Sequence, residues 1–128
     1  MKIDNKSEIG SHLLIGFQGI TAGQQLVHLI KDFAVGGIVL FRRNIQSPEQ
    51  LRGLLEEAQA ASRETLKRPL WVAIDQEGGS VQRLVPPFTQ LPDAQQLAAD
   101  GPEAVADWTA TSARELRDFG IHINFAPV

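Results

Sequence analysis

The stretch "AIDQEGGSVQRL", Ala73 to Leu84, holds the densest chemistry in the chain. An apolar run ends at Asp75, Glu77 follows, and Arg83 comes after the Gly78-Gly79 pair. A carboxylate held at a strand end can accept hydrogen bonds from two neighbouring sugar hydroxyls. The guanidinium of Arg83 offers a fork of donors, for a sugar oxygen or for Asp75 itself. Position alone leaves both readings of Asp75 open, a ligand contact or a loop cap and ion-pair partner. Asp75 and Glu77 do not suit the two-carboxylate chemistry of a retaining glycosidase. That chemistry needs carboxyls about 5–5.5 Å apart on opposite sides of the scissile bond. Residues two apart on an extended strand face the same way. Glu77 is therefore read as structural, holding the loop or an arginine such as Arg43.

Other candidate chemistry is weaker. "GGSVQ" has Gln82 where a nucleophile elbow needs glycine. "GGS" lacks the lysine of a phosphate loop. His12, His28 and His122 are far apart and lack metal-ligand spacing. His28 is expected to be solvated or packed against a neighbour, and His122 to orient within the sheet wall. Trp71 and Trp108 fall on a strand and a helix stripe, where core packing is expected.

Short apolar runs and helical stripes alternate around these residues. "HLLIGF" (12–17), "GGIVLF" (36–41), "LWVAI" (70–74) and "IHINFAPV" (121–128) have strand length. Residues 22–34 place Leu26, Leu29, Ile30 and Phe33 on one helical face. "SPEQ" (47–50) starts a second helix, with Ser47 as cap, Pro48 at the first position and Gln50 able to complete a capping box. Its stripe is Leu51, Leu54, Leu55 and Ala58. A turn-rich stretch with Pro86, Pro87 and Pro92 follows. "DGPE" (100–103) then opens a helix with Val105, Trp108, Leu116 and Phe119 on its stripe and Gly120 as a left-handed cap. The order implies parallel βαβ units with right-handed crossovers. Strands apolar throughout, rather than alternating, are those covered on both faces.

Such folds gather functional groups at the carboxyl ends of their strands. Those ends supply Gln18, then Arg42, Arg43 and Asn44, then Asp75, Gln76 and Glu77, and finally Asn124. The set is polar and mixed in charge, suited to a ligand rich in hydroxyls rather than a polyphosphate. With 128 residues and a net charge of −3, no global field draws the chain to nucleic acid or an anionic membrane. It has no cysteine, which excludes disulfides, thiolate metal sites and cysteine nucleophiles. The amino-terminal apolar run is too short and too charged for a signal peptide or a spanning helix. A soluble, cytoplasmic protein is expected.

"VGGIVLFRRNI" (35–45), "AIDQEGGSVQRL" (73–84), "PFTQLP" (87–92) and "ARELRDFGIHINFAPV" (113–128) together resemble glycoside hydrolase family 3. The likeness runs from about Gly16 to Val128 and is nearest to the bacterial β-N-acetylhexosaminidases of that family. It implies an α/β fold, the N-terminal half of a (β/α)8 TIM-type barrel. Residues 1–128 would hold about four βα units, ending after the fourth strand. It implies a retaining hydrolase that removes terminal N-acetylglucosamine, typically from peptidoglycan fragments. It also implies that Asp75 and Arg83 bind the sugar, with no metal or organic cofactor. Ser80 departs from the family's usual arginine. The family's lysine-histidine motif, histidine acid/base and aspartate nucleophile have no counterpart here. No catalytic residue is therefore expected in this chain, and the chain alone is expected to be inactive. Two alternatives stand beside this reading. One is a non-catalytic sugar-binding or structural half-barrel, self-associating through exposed barrel edges. The other is a β-glucosidase of the same family.

Overall fold

The structure, a computed structural model, describes residues 5–127. The elements in order are α1 (Asn5–Ser11), β1 (Leu14–Ile15), α2 (Gln24–Phe33), β2 (Gly37–Leu40), α3 (Pro48–Leu66), β3 (Trp71–Ile74), α4 (Ala94–Asp100), α5 (Pro102–Asp118) and β4 (Ile123–Asn124). All four expected strands form, each shorter than its apolar run. Val128, the end of the expected fourth strand, lies outside the described residues.

The strands make one parallel sheet in the order β1-β2-β3-β4. A doubly wound sheet reverses its strand order part-way, which places helices on both faces. A sheet that only advances, with right-handed crossovers, keeps its helices on one face, and that is the barrel arrangement. Register shows the consequence. Ile38 pairs with Val72, and Leu40 with Ile74. These four point toward the helices and share a core with Leu26 and Ile30 of α2, Leu51, Leu54, Leu55 and Ala58 of α3, and Leu116 of α5. Each such side chain, once buried, contributes roughly 1.5–3 kcal/mol of transfer free energy.

The opposite, concave face carries Leu14, Gly37, Val39, Trp71, Ala73 and Ile123. Trp71 is 57% exposed there. This corrects the expectation of a core tryptophan. Val72 and Ile74 take the helix side, so strand alternation turns Trp71 the other way, where no described helix lies. It meets His122 edge-on, with ring centroids 5.5 Å apart.

Local signals hold up best where a cap is involved. Ser47 Oγ accepts the Gln50 N–H at 3.1 Å and starts α3. The box closes one residue early, because Gln50 Oε1 accepts from Gln46 N–H at 2.7 Å. The α5 stripe is only partly buried. Ser112 and Leu116 are buried, Trp108 is half-buried and Val105 is exposed. The first turns of α5 pack on α4, an element unmarked by the sequence pattern. On α2, Leu26 and Ile30 are buried but Phe33 is largely exposed.

Candidate functional site at the strand ends

β3 ends at Ile74, so Asp75 is the first residue past the sheet's carboxyl edge. Arg83 returns to it across the loop, and its Nη2 donates to Asp75 Oδ2 at 3.0 Å. The two side chains are 26% and 25% exposed. Three quarters of each side chain is shielded from water, so removing either partner would leave a poorly solvated charge. Arg83 Nε is buried and has no hydrogen-bond acceptor among the described residues. The guanidinium also lies 5.8 Å from the centre of the Phe41 ring. Arg43 sits over the same ring at 4.4 Å and donates through Nε to the Phe17 carbonyl at 3.0 Å. The mouth thus joins one carboxylate, two guanidiniums and an aromatic ring.

The loop that brings Arg83 back is tightly determined. Gly78 has φ +110, and a Cβ there would lie 2.2 Å from the Pro92 carbonyl oxygen. Gly79 has φ +57 with Asp93 Cβ at 2.6 Å from the same added atom. Both positions exclude a side chain by conformation and by space. Glu77 N–H and Gly78 N–H both donate to the Val81 carbonyl, closing the bend. Gln82 fastens the bend to the following segment. Its Oε1 accepts from Leu91 N–H at 2.9 Å and its Nε2 donates to the Gly79 and Leu91 carbonyls. Farther on, Glu115 of α5 accepts from both the N–H and the hydroxyl of Thr89.

Other strand-end polar residues are occupied with structure. Asn44 is fully buried, accepts from Phe41 N–H and donates to the Phe17 and Gly19 carbonyls. Asn124 Oδ1 accepts from Gln76 N–H at 2.9 Å, and its Nδ2 donates to the Gln76 carbonyl at 3.0 Å. It extends the β3–β4 ladder by a side chain. Arg42 donates to the Ile45 carbonyl, and Gln18 is exposed.

Glu77 does not share the surroundings of Asp75. It lines a hollow of about 470 Å³, mostly apolar, beside Leu97 of α4 and Leu116 of α5. His28 is exposed and pairs with Asp32, while His122 Nδ1 accepts from Val72 N–H at 3.1 Å. His122 thus orients within the sheet, as expected. Among the described residues no cluster of His, Cys, Asp or Glu has metal-site geometry. Sequence reasoning placed Gln76 among the strand-end polar residues but gave it no role of its own, and its carboxamide accepts from Arg83 N–H and Leu84 N–H. Its neighbours' charges drew attention away from an uncharged side chain.

A parallel α/β sheet that only advances, with a charged, aromatic-backed mouth at its carboxyl edge, is the architecture of a barrel-type domain. Residues 7–128 match the family described as the glycosyl hydrolase family 3 N terminal domain. The chain belongs to that family. It is 42% identical over 125 residues to a beta-hexosaminidase of Xylella fastidiosa, covering 91% of this chain and 36% of that protein. A beta-hexosaminidase of Pasteurella multocida is 37% identical over 124 residues, covering 92% and 34%. Among solved structures, a family 3 beta-N-acetylglucosaminidase from a Paenibacillus species superposes with a TM-score of 0.90 at 39% identity, covering 95% of this chain and 23% of that one. A beta-N-acetylhexosaminidase from Beutenbergia cavernae gives 0.85 at 31%, covering 98% and 38%. The chain spans about a third of the length of the curated relatives it matches. The fold is thus the α/β, parallel-sheet N-terminal barrel portion of family 3 enzymes.

Proposed function

We propose that this chain is the sugar-holding sector, residues 1–128, of a family 3 β-N-acetylhexosaminidase that removes terminal N-acetylglucosamine by a retaining mechanism. Asp75 accepts from sugar hydroxyls, and Arg83 donates to a sugar oxygen. The observation that carries this reading is the partly exposed Asp75–Arg83 pair, 3.0 Å apart at the sheet's carboxyl edge. A sugar supplies acceptors for Arg83 and donors for Asp75 at once. The retaining reaction also needs a nucleophile and an acid/base. The described mouth does not assemble that pair, since Asp75 is engaged with Arg83 and Glu77 lines a different hollow. These residues bind and orient, and we expect no cleavage by them alone. Cytoplasmic turnover of peptidoglycan fragments is the finer part of the reading. The lack of cysteine suits a reducing compartment, and no helix among the described residues is long and apolar enough to cross a membrane.

The test is a titration of the chain with N-acetylglucosamine, followed by amide NMR. Shifts should concentrate at Asp75, Arg83 and Phe41. Asp75→Ala should weaken binding about tenfold or more, the size of a lost charged hydrogen bond. Unchanged affinity would refute the assignment. Incubation with a chromogenic N-acetylglucosaminide should give no turnover above a buffer blank. A second reading, a half-barrel that self-associates, is favoured by exposed Leu13, Trp71 and Phe125. Sedimentation across a concentration series decides it, and a monomer at every concentration rejects it.

A further inference from the structure

Strand alternation continues one step past β3. Asp75 goes to the mouth, and Gln76 turns to the helix side, where it is 2% exposed. Its backbone is held in place from β4, because the Asn124 carboxamide bonds both its N–H and its carbonyl. From this fixed point its side-chain Oε1 accepts from Arg83 N–H at 2.9 Å and from Leu84 N–H at 3.0 Å. A carboxamide oxygen has two lone pairs, and both are used. The bonds made by Gln82 and by the Gly78–Val81 bridge shape the loop internally and fasten it to Leu91. They hold the returning limb at Val81 and Gln82, short of Arg83 itself. Among the described residues, Gln76 is what holds the backbone N–H of Arg83. The residue next to the carboxylate therefore fixes the backbone that carries the guanidinium.

We propose that Gln76 is a positioning residue that acts through Arg83, its buried carboxamide oxygen setting the Arg83 guanidinium against Asp75. The inference rests on the sugar-holding reading of that pair. It extends the site to a residue that touches no ligand. The part of the side chain that matters is the acceptor. An isosteric apolar side chain would leave two N–H groups without a partner, whereas a glutamic acid carboxyl, neutral at so buried a position, would keep the acceptor oxygen and turn its O–H toward the Leu84 carbonyl that Gln76 Nε2 now approaches.

Two measurements on the full chain test it. The first needs no ligand and follows 15N relaxation of the Arg83 Nε–Hε group. Gln76→Met should make this group mobile, and Gln76→Glu should leave it as rigid as in the parent. The second is a double-mutant cycle on N-acetylglucosamine affinity. Gln76→Met should raise Kd about tenfold in the parent and less than about twofold in an Arg83→Ala background. A rigid Arg83 in Gln76→Met, or an equal loss of affinity in both backgrounds, would overturn the proposal. The latter is what a purely structural role produces. If Gln76→Met does not fold, Gln76→Glu decides, because a mobile Arg83 in that folded variant is equally fatal. Sugar affinity indifferent to Asp75→Ala and Arg83→Ala would sink the sugar reading instead, and the relaxation result would still judge Gln76.

Discussion

Ile38, Leu40, Val72 and Ile74 leave one face of the sheet and are buried among the helices. Leu14, Val39, Trp71 and Ile123 leave the other face of the same strands and keep contact with solvent. The two sets are chemically alike, and both come from continuous apolar runs. Composition therefore does not separate them. They differ in what lies opposite, since the crossovers bring α2, α3 and α5 onto the side of the first set. A strand apolar on both faces is built for cover on both. Here the described residues cover only the convex one. The lesson is energetic as well as geometric, because substitutions of equal chemistry should cost unequal amounts on the two faces.

The largest effect should come from Ile74→Ala, deep on the convex side. It should lower the unfolding free energy by about 2–4 kcal/mol through lost transfer energy and a residual cavity. Urea denaturation measures this, and a loss under about 1 kcal/mol would erase the distinction between the faces. Next comes Asn124→Ala, which cuts the side-chain link between β4 and Gln76. Two backbone groups lose their partners, so about 1–3 kcal/mol is expected. Hydrogen exchange of the Gln76 amide should speed up in that variant. Ser47→Ala, at the start of α3, should cost about 1 kcal/mol as a lost helix cap. Trp71→Ala closes the series, with a change of about 0.5 kcal/mol or less in the isolated chain, as for other exposed positions. A larger loss for Trp71→Ala that grows with protein concentration would mean that a second copy covers the concave face.

Much of this molecule was readable before its structure. Four apolar runs became four parallel strands, because β-branched and aliphatic residues in short bounded runs have few other solutions. The Ser47-Pro48 start of α3 was legible because a cap is a local hydrogen bond between near neighbours. Two short helices escaped notice. α1 and α4 have seven residues each, too few for a periodic stripe to stand out. The start of α4 did carry a signal, since Asp93 accepts from Gln96 N–H, but it stood among prolines and was absorbed into the turns. At the site, sequence named Asp75 and Arg83 as sugar ligands or as partners of each other, and the fold pairs them. It named Asn44 and Asn124 as rim residues, and the fold spends both on pinning backbone.

The sequence by itself determined the kind of fold, the family and the short list of polar residues at the strand ends. Each of these depends on apolar periodicity, glycine placement and motif spacing, all of which are written along the chain. Tertiary structure decided which face of the sheet is covered, where Trp71 points, and that Glu77 lines the hollow beside α4 and α5. It also decided that Gln76 carries the returning limb of the loop. These depend on where distant segments come back to, as when Leu84 and Asn124 close on the one residue after Asp75. A chain read in one dimension names the partners of a bend without the bend that makes them neighbours.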